Sequence, residues 1–157
     1  MTRAGETIEG RLSGVRRIFL DTAPIIYHVE GVALYQPLTD LIFSRIGEGA
    51  LVAVTSCITL AECLVHPYRR GDMQLVQQFK NVITRGRNTR YVGVDSVVEQ
   101  AAELRARYNL TLIDSLQIAS AIADGCDSFL TNDLALKRVT GMNILVLDEL
   151  LRLGNWV

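Results

Sequence analysis

Five short apolar runs recur along this chain, nearly all followed by a segment with helical spacing, and that alternation limits the fold more than any other feature. The runs are "IFL" (18–20), "ALVAVT" (50–55), "RYVGV" (90–94), "DSFLT" (127–131) and "NILVLD" (143–148). Each is long enough for a strand and too short for a helix. Between them lie "PLTDLIFSRIGEG", "CITLAECLVHPYRRG", "MQLVQQFKNVITRG", "SVVEQAAELRARY" and "LTLIDSLQIASAIADG", which read as helices. Gly31 and Gly71 are expected to end helices, while Ser56, Asp72 and Asp95 are placed to cap them. Asp133 begins a further short helix. The pattern predicts an α/β domain: a mostly parallel central sheet of about five strands, doubly wound, with helices on both faces.

At 157 residues the chain is expected to form one domain, with residues 1–17 a variable N-terminal extension and residues 18–157 the folded unit. A chain 49% hydrophobic and 21% charged is not disordered. No apolar run approaches the ~20 residues that span a bilayer. The leader "MTRAGETIEGRLSGVRR" lacks the apolar core of a signal peptide, so export is not indicated. Cys57, Cys63 and Cys126 are odd in number and without C-x-x-C spacing, which suits reduced thiols in a cytoplasmic protein and not a zinc site.

Four acids are misplaced by ordinary patterning. Asp21 and Asp133 follow the first and fourth strands. Glu62 lies between Ala61 and Cys63, and Asp114 between Ile113 and Ser115, both near the starts of helices. Taken singly, Asp21 and Asp133 can be helix caps, and Glu62 can reach solvent or an arginine. Asp114 is harder to explain, because a carboxylate among leucine and isoleucine is costly to bury alone. The carboxyl edge of a parallel sheet can gather all four. Like charges so gathered repel, and a divalent cation resolves the conflict. Oxygen donors of high charge without histidine suit Mg²⁺ or Mn²⁺. Such an ion can activate water for in-line attack on phosphorus, with no serine, cysteine or histidine nucleophile.

The blocks "FLDTAPIIYHVEG", "TSCITLAECLVHPYRRGD", "LTLIDSLQIASAIADGCDSFLTND" and "ILVLDEL" resemble, in that order, the successive blocks of PIN domains, most nearly the VapC-type (PilT N-terminus) branch. The resemblance runs from about residue 18 to 151. It implies a PIN-like single domain and a metal-dependent endoribonuclease using Mg²⁺ or Mn²⁺. Its acidic quartet falls on Asp21, Glu62, Asp114 and Asp133, and its supporting polar residue on Thr131. It also implies an RNA substrate, a homodimer, and a cognate antitoxin that covers the acidic groove in a type II toxin–antitoxin pair. Ser115 stands where the family often has alanine, and the leader has no clear counterpart. A non-catalytic PIN-like RNA-binding or assembly module is the alternative, although such a module gains nothing from clustered carboxylates.

Other acid-pocket folds fit poorly, since Ala23 replaces the second aspartate of a haloacid-dehalogenase-type phosphatase and Thr22 the adjacent acid of a receiver domain. Removing the four acids from the net charge of −1 leaves +3 on the rest of the chain. The stretch 69–90 is basic, and Arg69, Arg70, Arg85 and Arg87 are candidates for contacting RNA; the plainer alternative is a solvated helix face. Asn132 can touch a metal-bound water or a phosphate, or simply make a turn. Tyr27 and Tyr35 can stack on a base or pack. His28 and His66 are not spaced as a ligand pair and are expected to be structural. Asp40, Asp124, Asp127 and Asp148 are expected to be exposed or capping.

Overall fold

The computed structural model describes residues 6–154. Residues 1–5 of the expected extension and 155–157 of the expected domain lie outside the described residues. Numbered in chain order, the strands are β1 (Arg17–Leu20), β2 (Val52–Ser56), β3 (Thr89–Val92), β4 (Ser128–Thr131) and β5 (Asn143–Val146). The helices are α1 (Ile8–Leu12), α2 (Thr22–Glu30), α3 (Gln36–Gly47), α4 (Cys57–Arg69), α5 (Met73–Arg85), α6 (Val98–Tyr108), α7 (Leu112–Ala123) and α8 (Leu147–Leu151). All four strand pairings are parallel, in the order β3-β2-β1-β4-β5. Among the described residues no helix is long and apolar enough to cross a membrane.

Alternation along the strands divides the core into two layers. Ile18, Leu20, Ala53, Leu130 and Leu145 face one side, where residues of α1, α2, α3, α5 and α8 cover them. Phe19, Val54, Phe129, Ile144 and Val146 face the other, under Ile118 and Ala121 of α7. Parallel strands buried on both faces need apolar centres; β1 supplies Ile18, Phe19 and Leu20, β2 Val52, Ala53 and Val54, and β4 Phe129 and Leu130, with polar residues confined to the strand ends. Phe19 stands opposite Phe129 in the register, and their rings stack at 5.1 Å between centroids.

The chain lays β1, β2 and β3 down in one direction and then returns to place β4 and β5 on the other side of β1. The crevice beyond the carboxyl ends of β1 and β4 is therefore the point where the winding reverses, the usual ligand position in open α/β sheets.

Local chemistry sets most helix ends as expected. The side chains of Ser56 and Asp72 cap α4 and α5, and Gly31 closes α2 at φ 66°, a conformation that a side chain disfavours. The expected Asp95 cap does not form; a 3-10 turn at Asp95–Val97 intervenes and α6 starts at Val98 without a side-chain cap. The last apolar run is shorter as a strand than expected, because Leu147 and Asp148 open α8. Within the leader, α1 buries Ile8 and Leu12 in the core and ties Glu9 to Arg45 of α3. Asp124 and Asp127 do more than cap or face solvent. Asp124 pairs with Arg17 and Arg90, and Asp127 accepts the backbone N–H groups of Arg16 and Arg17 at 2.8 and 2.9 Å. Cys57, Cys63 and Cys126 are free thiols, and burial pushes Cys63 and Cys126 up to about 12.

Candidate active site

Strand register builds the site. Leu20 of β1 pairs with Leu130 of β4, so the next residues, Asp21 and Thr131, emerge side by side at the carboxyl edge. The Asp21 N–H continues the ladder to Leu130 O at 3.0 Å, and Thr131 Oγ1 donates to Asp21 Oδ2 at 2.8 Å. The same Thr131 oxygen accepts the Asp133 N–H at 3.1 Å. One hydroxyl thus ties Asp21 to the backbone of Asp133.

All four acids line a single cleft of about 670 Å³, together with Thr22, Tyr27, Thr111, Thr131 and Asn132. Glu62 arrives from the second turn of α4 and accepts a hydrogen bond from Thr22 Oγ1 at 3.0 Å. Asp114 arrives from the first turn of α7, which Thr111 caps by accepting the Asp114 N–H at 3.1 Å. The capping explanation fails for Asp21, whose side chain makes no cap bond to α2. It holds for Asp133, where Oδ1 accepts the Ala135 N–H at 3.0 Å and starts the 3-10 turn Leu134–Arg138, leaving Oδ2 without a capping role.

The electrostatics are those of a strained acidic pocket. Burial raises Asp21 from 3.8 to about 6, the Thr22 N–H and Thr131 hydroxyl oppose this, and the charges of Asp114 and Glu62 add to the rise. Asp114 is also raised, by burial first and then by Asp133, while the Thr111 bond and Arg138 hold it down. Among the described residues none of the four acids forms an ion pair with lysine or arginine. Nor are three side chains drawn together there as a ready-made ligand set. The donors nevertheless fit a hard cation: oxygen only, several charges, and room for water between them. Mg²⁺ takes one or two carboxylates directly and keeps waters that bridge to others.

Other candidates are placed differently. Asn132 lines the cleft, but its amide is engaged elsewhere. It donates to Tyr27 and Tyr35 hydroxyls at 3.3 and 3.2 Å, and its oxygen accepts the Asp148 N–H at 3.0 Å. Tyr27 and Tyr35 stack on each other at 4.2 Å, and Tyr35 donates to Asp148 at 2.7 Å. His28 stacks on Phe43 and faces Asp40 at 3.4 Å, a structural role; burial lowers its pKa. Arg69 lines a second groove, which shares Ile26, Glu62 and Ile113 with the acidic cleft. Arg70 pairs with Asp72 at 3.6 Å. Arg85 and Arg87 lead into β3, whose neighbour Asn88 accepts the Ala53 N–H near the start of β2. They therefore stand at the amino edge of the sheet, opposite the acids. Sequence reasoning missed Gln117 and Thr59 and read Ser56 only as a cap; the three form a buried polar chain below the cleft. The clue was a glutamine inside the otherwise small and apolar run "LQIASAIA".

Comparison with solved structures returns the same architecture. The FitAB complex bound to an IR36 DNA fragment aligns with TM-score 0.68 at 17% identity, over 89% of this chain and 99% of that one. VapBC2 from Rickettsia felis, bound to a DNA fragment from its promoter, aligns with TM-score 0.64 at 17% identity, over 83% and 98%. A toxin–antitoxin complex from Klebsiella pneumoniae aligns with TM-score 0.63 at 16% identity, over 83% and 97%. No curated protein matches the sequence. The sequence model of the PIN domain does match, over residues 18–142, and the chain belongs to the PIN domain family.

Proposed function

We propose that this protein is a metal-dependent endoribonuclease that hydrolyses RNA phosphodiester bonds, and that it is the toxin of a type II toxin–antitoxin pair. The observation that carries the reading is the convergence of Asp21, Glu62, Asp114 and Asp133 on one cleft without a neutralising ion pair among the described residues. PIN domains are generally nucleases, and the aligned structure named as a toxin–antitoxin complex supports the antitoxin partner. A cytoplasmic location and a homodimer belong to the same reading.

Asp21, Asp114 and Asp133 would hold Mg²⁺ or Mn²⁺, with Glu62 at the rim holding waters or a further ion. An ion held there would supply positive charge that acidifies water and stabilises a leaving oxygen. The protein's part is orientation. Thr131 fixes Asp21 relative to Asp133, and the α7 cap fixes Asp114. With its pKa near 6, Asp21 loses its proton across the weakly acidic range, so cation uptake there competes with protons. The +3 carried outside the quartet favours a polyanion, and Arg69 is the candidate contact beside the cleft.

The test compares parent and Asp114→Asn protein on mixed structured RNAs with Mg²⁺, with Mn²⁺ and with chelator. Cleavage by the parent that requires metal, lost in the folded variant, is the expected result. Equal activity in the variant, or cleavage that persists in chelator, refutes the assignment. Metal-independent RNA binding without cleavage would favour the non-catalytic module.

A further inference from the structure

Below the cleft runs a chain of polar side chains that the core does not need for packing. Ser56, Thr59 and Gln117 are each 0% exposed. Ser56 Oγ accepts the N–H groups of Ile58 and Thr59 at 3.1 and 3.3 Å. Its single proton goes to the Gln117 side-chain oxygen, which fixes the orientation of that amide. The amide nitrogen donates to Thr59 Oγ1 at 2.7 Å, and Thr59 passes its own proton to Leu20 O at 3.4 Å. Every donor and acceptor direction follows from the one before it.

Each anchor of this chain lies next to an acid. Leu20 immediately precedes Asp21. Thr59 is three residues before Glu62 on α4, and Gln117 is three residues after Asp114 on α7. Residues three apart share a helix face, so a shift of either helix at the anchor is a shift of its carboxylate. Leucine or methionine would fill the same space without an amide to desolvate, and a satisfied buried network is retained at a cost that its rigidity can offset.

We propose that Gln117 is a positioning residue: its amide locks α4 and α7 to the end of β1, and so sets the spacing of Asp21, Glu62 and Asp114 at which the cleft takes up a divalent cation. This rests on the metal-site reading above. The experiment is calorimetric titration of Mn²⁺ into the whole purified protein, at a temperature where circular dichroism shows each variant folded. Gln117→Leu and Thr59→Val should bind about tenfold more weakly, the scale of losses on removing partners that orient metal ligands. Thr59→Ser keeps the hydroxyl and should stay within about twofold on the same scale. Ile144→Ala, in the core at the far edge strand, should lower Tm yet leave affinity unchanged. Parent-like affinity in both Gln117→Leu and Thr59→Val overturns the proposal, as does an equal loss in Ile144→Ala. If Gln117→Leu does not fold, the contrast between Thr59→Val and Thr59→Ser decides. No Mn²⁺ uptake by the parent overturns the metal reading and this inference with it, and that outcome is distinct from the others.

Discussion

Replacing Asp21 by asparagine removes a charge that the fold holds at a cost while keeping an oxygen for the Thr131 hydroxyl. In the folded state the Asp21 carboxyl titrates at about 6, against 3.8 for the ordinary group. Between those values the folded protein binds a proton that the unfolded chain has lost, so stability falls as pH rises through the window. The full interval corresponds to about 3 kcal/mol at pH 7. Burying a neutral amide in its place returns part of this, leaving a gain of about 2 kcal/mol and roughly 5 °C in Tm for a domain of this size. The assay is thermal and urea unfolding of parent and Asp21→Asn in chelator, from pH 3.5 to 8. The variant should be more stable at pH 7, the difference should fall to zero at about pH 4.5 and turn slightly against the variant below that, and the variant should neither bind Mn²⁺ nor cleave RNA. A variant less stable than the parent at pH 7, or a difference independent of pH, would refute the reasoning that the charge is held against its own desolvation.

Two further outcomes follow from the site geometry. Thr131→Val removes a hydrogen bond that stabilises the ionised Asp21 and unties Asp133; the acidic limb of the pH profile of kcat/KM should move to higher pH, and Mn²⁺ affinity should fall about tenfold. Arg69→Ala should raise KM for RNA several-fold and flatten its salt dependence, whereas Arg87→Ala, at the opposite edge of the sheet, should leave kinetics at parent values; equal effects from both would remove Arg69 from the substrate path.

The acidic quartet was legible because its members break local patterns that are themselves strong. Asp21 closes an apolar strand, Asp114 interrupts an apolar helix, and parallel topology says where strand ends meet. What stayed hidden depends on distances between elements. Gln117 has helical spacing, and only the approach of α4 and α7 turns it into a buried link to Thr59. Asn132 sits beside an acid in sequence, yet Tyr27, Tyr35 and Asp148 claim its amide. The basic stretch 69–90 reads as one patch, but α4 and α5 spread it from the cleft to the far edge. Here a signal was available, since residues just before a strand in a parallel sheet lie at its amino edge. Ile8 and Leu12 carried another: their i, i+4 spacing is that of a helix face, and both are buried.

The most direct measurement is anomalous diffraction from crystals of the parent soaked in Mn²⁺. The account predicts a peak in the cleft within direct-ligand distance of at least one carboxylate among Asp21, Asp114 and Asp133, absent from Asp21→Asn crystals soaked alike. Ordered crystals of the parent with no peak in the cleft, or with Mn²⁺ only at surface carboxylates, would contradict it.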